Sequence, residues 1–204
     1  MANKTKSSGG KLPENLLLDK RKSLPEALRF LFADYPRDMW FQHKNMGELT
    51  RFWLSRHDGF RRAATALNAN NDAFLEGKID PQTFSQSMVP GFNALLGGLT
   101  EHHTMEDHHY FPKFRVVEPR LARGFEILDS DHHALHDAIE NVALTANNFM
   151  QAQDRDALLR TSDKFVAANS GLLAFLMRHL EDEEDLIVPL LLDRSEQVVM
   201  GQAY

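Results

Sequence analysis

Histidines and carboxylates recur four residues apart along this chain: His102 with Glu106, His179 with Glu183, and His132 with His136. Residues at that spacing share one face of a helix, which is how side chains that grip a single ion are arranged. The pairs interrupt apolar stripes. His102 and Glu106 follow Leu95 and Leu99 and precede Tyr110, and His179 and Glu183 lie between Leu172, Leu176 and Ile187. His132 and His136 lie on a stripe with Leu128, Leu135 and Ile139, and His57 falls between Trp53 and Phe60. Burying so many titratable groups without partners costs several kcal/mol each, and a bound cation satisfies them together. Imidazole and carboxylate donors without thiolate suit iron, manganese or zinc.

The number of donors points to two ions. Two octahedral ions offer about twelve positions, and five imidazoles, two bridging carboxylates and one oxo or hydroxo bridge fill all but one. The open position is where dioxygen, nitric oxide or peroxide would bind.

The elements that must position these residues read as helices. Residues 1–22 are polar, without hydrophobic period, and read as a tail without chemistry. Ser23-Leu24-Pro25-Glu26 has the form of a capping box and predicts a short helix through Ala27, Phe30 and Leu31 to Tyr35-Pro36. Trp40 and Phe41 follow in a loop that caps a core. Four long helices are then expected. The first runs from Gly47 to Leu67 and ends in Asn68–Asn71, and the second runs from Asp80-Pro81 to Pro112, kinked or divided at Pro90-Gly91. The third runs from Glu118-Pro119 to about Asn148, and the fourth from Asp154 to Pro189 or a little beyond. Gly97-Gly98 and Gly171 are expected to allow close helix approach. No segment alternates like a strand, so the expected fold is all-α, an up-down-up-down four-helix bundle over residues 46–195, with a tail and short helix over 1–45 and a tail over 196–204.

Composition narrows the function. The 204 residues carry a net charge of −6, which disfavours nucleic acid, and the absence of cysteine excludes thiolate sites and disulfides. No apolar stretch is long enough for a membrane span or a signal peptide, so a cytoplasmic protein is expected.

The motifs, taken in order, resemble the hemerythrin-like family of HHE cation-binding domains, four-helix bundles that hold a non-haem di-iron site. His57-Asp58-Gly59-Phe60-Arg61-Arg62 is similar to the family's first-helix histidine and basic pair. His102, Glu106 and Phe111-Pro112 resemble its second-helix motif, His132 and His136 its third, and His179, Glu183 and Pro189 its fourth. The interval from His to Pro is ten residues in both the second and fourth helices, and the resemblance extends over about residues 40–194. It implies two irons held by His57, His102, Glu106, His132, His136, His179 and Glu183, with zinc or manganese as other occupants. His103, three before Glu106, competes with His102, which the family spacing favours. Oxygen-carrying members place an Asp five residues after the last His, whereas here Glu183 stands at four and Glu184 at five.

His43, His108, His109 and His133 read as surface histidines, and of the run Glu181–Asp185 only Glu183 reads as a ligand, the rest as a solvated face. A ferritin-like site needs two Glu-x-x-His motifs, and Glu106-x-x-His109 is the one present. Two function classes stay open: binding of dioxygen, nitric oxide or iron for sensing or storage, and redox catalysis on peroxide or nitric oxide, with Tyr110 as a proton donor. A zinc-filled structural bundle is a further alternative.

Overall fold

The computed structural model describes residues 12–152 and 155–201. Among them every regular element is helical and none is a strand. The elements are α1 (Phe30–Asp34), α2 (Glu48–Leu75), α3 (Pro81–Met105), a π-helical turn (Glu106–Tyr110), α4 (Phe111–Val117), α5 (Ala122–Met150), α6 (Arg155–Arg194) and α7 (Glu196–Met200), with short 3-10 turns between them. Residues 1–11 of the expected tail and Asp154, the expected start of the fourth helix, lie outside the described residues.

Local sequence explains where helices begin and end only in part. Asp80 caps α3, its carboxylate accepting from the N–H groups of Gln82 (2.9 Å) and Thr83 (3.1 Å), with Pro81 at the first helical position. Pro90 neither ends nor divides α3. It lies on the exposed face, where water can serve the carbonyl its missing N–H abandons, while Phe84, Met88, Phe92, Leu95 and Leu99 bury the opposite face. The Asn68–Asn71 cluster does not stop α2 either, because Phe74 stacks on Phe84 at 4.3 Å and Asn71 is itself buried. The stop comes at Gly77, whose φ of 68° only glycine adopts freely; Lys78 N–H then bonds back to the Ala73 carbonyl at 2.8 Å. Gly98 packs against Phe60, as expected, whereas Gly97 and Gly171 face open space.

The termini are more ordered than their composition suggests. The capping box at Ser23 does not form: Pro25 precedes a 3-10 turn (Glu26–Leu28), and α1 begins only at Phe30. Leu18, Arg21 and Leu24 are buried, so the expected tail closes over the core from residue 18 onward. Trp40 is buried with Met46, Leu54, Val188 and Leu192, while Phe41 is exposed. Residues 196–200, expected as tail, form α7, and the Glu196 carboxylate accepts from the Thr50 N–H and hydroxyl, both at 2.6 Å. It serves the start of α2, where Gly47 has no side chain to cap.

Two apolar clusters hold the long helices together, one built around Phe84, Leu99, Leu135, Leu172 and Leu180 and the other around Trp53, Phe114, Phe125, Leu128 and Leu186. Between them lies a polar layer. Each long helix crosses it once, between Trp53 and Phe60, between Leu99 and Phe111, between Leu128 and Leu135, and between Leu180 and Leu186.

A buried carboxylate ties the far ends of this frame. Glu118, at the turn into α5, accepts from Arg120 Nε at 2.7 Å and from Arg194 Nη2, at the end of α6, at 3.0 Å. The hydrogen bond from Arg120 outweighs burial and, with Arg194, holds the Glu118 carboxyl down at about 2. A depressed carboxyl adds stability above its ordinary value of 4.5 and loses it as pH falls toward 2. Glu118→Gln is therefore expected to cost about 1–2 kcal/mol at pH 7, both guanidinium groups facing water. That gap should close on acidification through this range, and thermal denaturation of both proteins across it checks this. A gap independent of pH would refute it.

Candidate metal centre

On α3 and the turn after it, the arrangement follows from helix geometry. At about 100° per residue, Glu106 stands roughly 40° from His102 and 60° from His103, between the two. A carboxylate so placed can serve both imidazoles. His102 Nε2 lies 2.7 Å from Glu106 Oε1, and Glu106 Oε2 lies 3.5 Å from His132 Nε2 on α5. The π-helical turn begins at Glu106, with the Phe111 N–H bonding to the carbonyl five residues back. Such turns recur at functional sites because the extra residue re-aims the side chains around it. Here Asp107 is brought 2.9 Å from His132 Nδ1, and Phe111 returns to the core.

The other helices complete the layer. His57 of α2 places Nε2 2.9 Å from His102 Nε2 and 3.7 Å from Glu183 Oε2. His179 of α6 places Nε2 3.2 Å from the same Glu183 oxygen. His103 and His132 stack at 4.0 Å with planes 12° apart. The result is two groups of four whose donor atoms lie within 4.8 Å of one another: His103, Glu106, His132 and His179, and His57, His102, Glu106 and Glu183. Glu106 belongs to both.

Six of the seven residues singled out from the sequence are thus brought together, and His136 is not. Its side chain is 68% exposed and paired with Glu140 at 3.3 Å. The buried face of α5 centres on Leu128, Leu135 and Val142; His132 lies roughly 40° from Leu128 and His136 roughly 80°, past the edge of the seam. His103, weighed against His102 in the sequence, faces the layer beside it. Its signal was in the sequence: a carboxylate midway between two histidines can use both.

A second ring of charges orients the first. His57 Nδ1 meets Glu184 (3.0 Å), His132 Nδ1 meets Asp107 (2.9 Å) and His179 Nδ1 meets Asp131 (3.4 Å), so each Nε2 is turned inward. Trp53 Nε1 donates to Glu183 Oε1 at 2.8 Å. Glu184 is held in turn by Arg61 (2.7 Å) and Arg37 (2.6 Å). Arg21 bridges Asp131 and Asp182, its Nε donating to Asp182 at 2.9 Å. Hence Asp182, Glu183, Glu184 and Asp185 are buried, contrary to the solvated face expected of this run. The run is the acidic half of an internal salt network: Arg178 pairs with Asp182 from one turn before it (2.8 Å), but Arg21, Arg37 and Arg61 come from distant segments that its local sequence does not signal.

The electrostatics of the layer conflict when no cation is counted. Burial drives the His102 ring down to about 3 and, with His132 and His179, pushes His103 well below its ordinary value. Burial and the charge of Glu183 push Glu106 well above the usual carboxylate range. Burial opposes the charge on His179, yet Asp131 and Glu183 outweigh it and raise the ring to about 9. The Nε2 atoms of His103, His132 and His179, both Glu106 oxygens and Glu183 Oε2 are all buried, and apart from the close approaches of His102 to Glu106 and of His179 to Glu183 they meet only one another, without a well-directed hydrogen bond. Inward imidazole and carboxylate atoms crowded together without well-directed hydrogen bonds are what a cation would satisfy.

The model of the hemerythrin HHE cation-binding domain matches residues 48–191, most of the chain and all seven residues of the two groups. The chain belongs to the hemerythrin HHE cation-binding family. No curated protein and no solved structure gave a match. The donor set fits the cation-binding character of the HHE domain, five imidazoles and two carboxylates with oriented rings and orphaned inner atoms. The segment before Glu48 lies outside the HHE match yet supplies Arg21 and Arg37 to its outer ring.

Proposed function

We propose that this chain is a non-haem di-iron protein that takes up a small diatomic ligand, dioxygen or nitric oxide, for sensing or storage. The observation that carries this is the pair of four-residue groups sharing Glu106. Donors without thiolate favour iron, manganese or zinc, and among these a redox pair suits a diatomic ligand. The scaffold is an up-down-up-down four-helix bundle on this reading. In support, α2 and α5 cross the polar layer from the Leu186 cluster toward the Leu180 cluster, and α3 and α6 cross it in the reverse sense.

When bound, the iron pair supplies electrons and an open position to the small ligand. The chain's own residues do the rest. Glu184, Asp107 and Asp131 hold the His57, His132 and His179 rings, and Trp53 holds Glu183. A mainly apolar cavity of about 240 Å³, lined by Leu49, Phe52, Trp53, Met105 and Tyr110 together with the paired Arg56 and Glu101, reaches His102 and gives an uncharged ligand a route. Tyr110 on that wall supports a second reading, disproportionation of peroxide or reduction of nitric oxide with the phenol as proton donor.

The test is elemental analysis of protein expressed with iron, followed by anaerobic nitric oxide and then peroxide on the reduced form. About two irons per chain and a stoichiometric, saturable spectral change with nitric oxide are expected. Sustained turnover of peroxide would favour the enzymatic reading, and zinc without any redox-dependent spectrum would overturn both.

A further inference from the structure

The buried centre meets the surface on two sides of opposite chemistry. On the His102 side lies the apolar cavity just described. On the other side a cleft of about 300 Å³ has His103 and His132 at its floor and Asp107, His108, His133 and His136 among its walls. His108, His133 and His136 are exposed and belong to neither four-residue group.

The walls of this cleft present donors. His108 Nδ1 lies 2.9 Å from the Thr104 carbonyl, and His133 Nδ1 lies 2.8 Å from the Asp129 carbonyl. A carbonyl only accepts, so Nδ1 carries the proton in each neutral ring and Nε2 keeps its lone pair. Nε2 is then the nitrogen a metal takes. Asp107 is partly exposed and bonds His132, so it spans the interval between the surface histidines and the centre. The volume is enough for roughly ten waters, room for a partly hydrated cation. A divalent ion crossing the mainly apolar cavity would find one carboxylate, Glu101, already paired with Arg56, whereas in the cleft departing waters can be exchanged for several imidazoles and the Asp107 carboxylate.

We propose that this cleft is the loading route of the metal centre: divalent transition-metal ions are captured by His108, His133 and His136 and handed past Asp107 to His103 and His132. The proposal rests on the di-metal reading above. His136 thereby acquires a role on the way to the centre rather than within it.

The experiment uses the full chain stripped of metal, with Co(II) alone as probe, its uptake followed by stopped-flow absorbance and its final content by elemental analysis. The variant carrying His108→Ala, His133→Ala and His136→Ala is expected to bind the same number of ions with an unchanged melting temperature, but to load about tenfold more slowly, because an arriving ion meets three fewer imidazoles to exchange for water. His109→Ala, on an exposed residue outside the cleft, and Leu49→Phe, in the apolar cavity, should load at the original rate. An unchanged rate in the triple variant would overturn the route. A lower final content in that variant would overturn it too, because the histidines would then belong to the centre. If the unsubstituted chain retains no Co(II), the di-metal reading falls and the route with it.

Discussion

Glu106→Ala is expected to lower the metal content from about two ions per chain, as a dinuclear bundle site holds, to less than one. The reason is its double membership. Every other residue of the two four-residue groups belongs to one of them, and Glu106 belongs to both. Its removal leaves three donors on each side, His103, His132 and His179 against His57, His102 and Glu183, with Glu183, 3.2 Å from His179, as the remaining carboxylate between them. Substitutions in the outer ring should act more mildly, since partners that only orient a ligand cost about 10–100-fold in affinity. His103→Ala should lose metal and His136→Ala should keep it. Elemental analysis of the three purified variants, with circular dichroism to verify helicity, reads these outcomes directly. Two ions retained by Glu106→Ala would refute the shared carboxylate, and loss of metal in His136→Ala would return that residue to the centre.

Arg21→Met is expected to destabilise the fold by about 3–5 kcal/mol, the penalty for breaking a buried charge network from one side. Arg21 donates to both oxygens of Asp131 and to Asp182, and all three side chains are at most 2% exposed. Burial disfavours the Asp131 carboxylate, but His179 and Arg21 outweigh it and hold its carboxyl below the ordinary value of 3.8. Without the guanidinium, Asp182 keeps only Arg178 and the Leu24 N–H, and Asp131 keeps only His179 and loses the group that aims it there. For a chain of this length the melting temperature should fall by about 10 °C. Arg21→Lys should recover part of the loss, a point charge replacing a planar fork. The deficit should shrink on acidification, as the carboxylates that lost the guanidinium take up protons. Adding Asp131→Asn and Asp182→Asn to Arg21→Met should restore stability, and the mutant cycle isolates the coupling. A loss below about 1 kcal/mol at pH 7 would place Arg21 among ordinary surface charges.

The sequence by itself determined the helical class and the phase of each polar residue on its own helix. The four-residue spacing of His102 with Glu106 and of His179 with Glu183, each within an apolar stripe, required a polar layer inside a helical core. The same periodicity put His57 and His132 toward the seam. What it left open was rotation of one helix against another. His132 and His136 differ by only about 40° around α5, and the packing of α5 on α6 turned the first inward and left the second in water. His102 and His103 differ by about 100°, and both face the polar layer because Glu106 stands between them and α5 presents His132 to the second. Charge patterning was legible only where its partners were local. The run Glu181–Asp185 reads as a solvated face, yet Arg21, Arg37 and Arg61, more than a hundred residues away, neutralise it inside the fold. Asn68–Asn71 and Pro90 carry local stop signals that the stacking of Phe74 on Phe84 and the buried face of α3 override. A residue's position around its own helix is set by covalent geometry and can be counted along the chain. Which groups meet it depends on contacts between distant segments, and those exist only once the helices have packed.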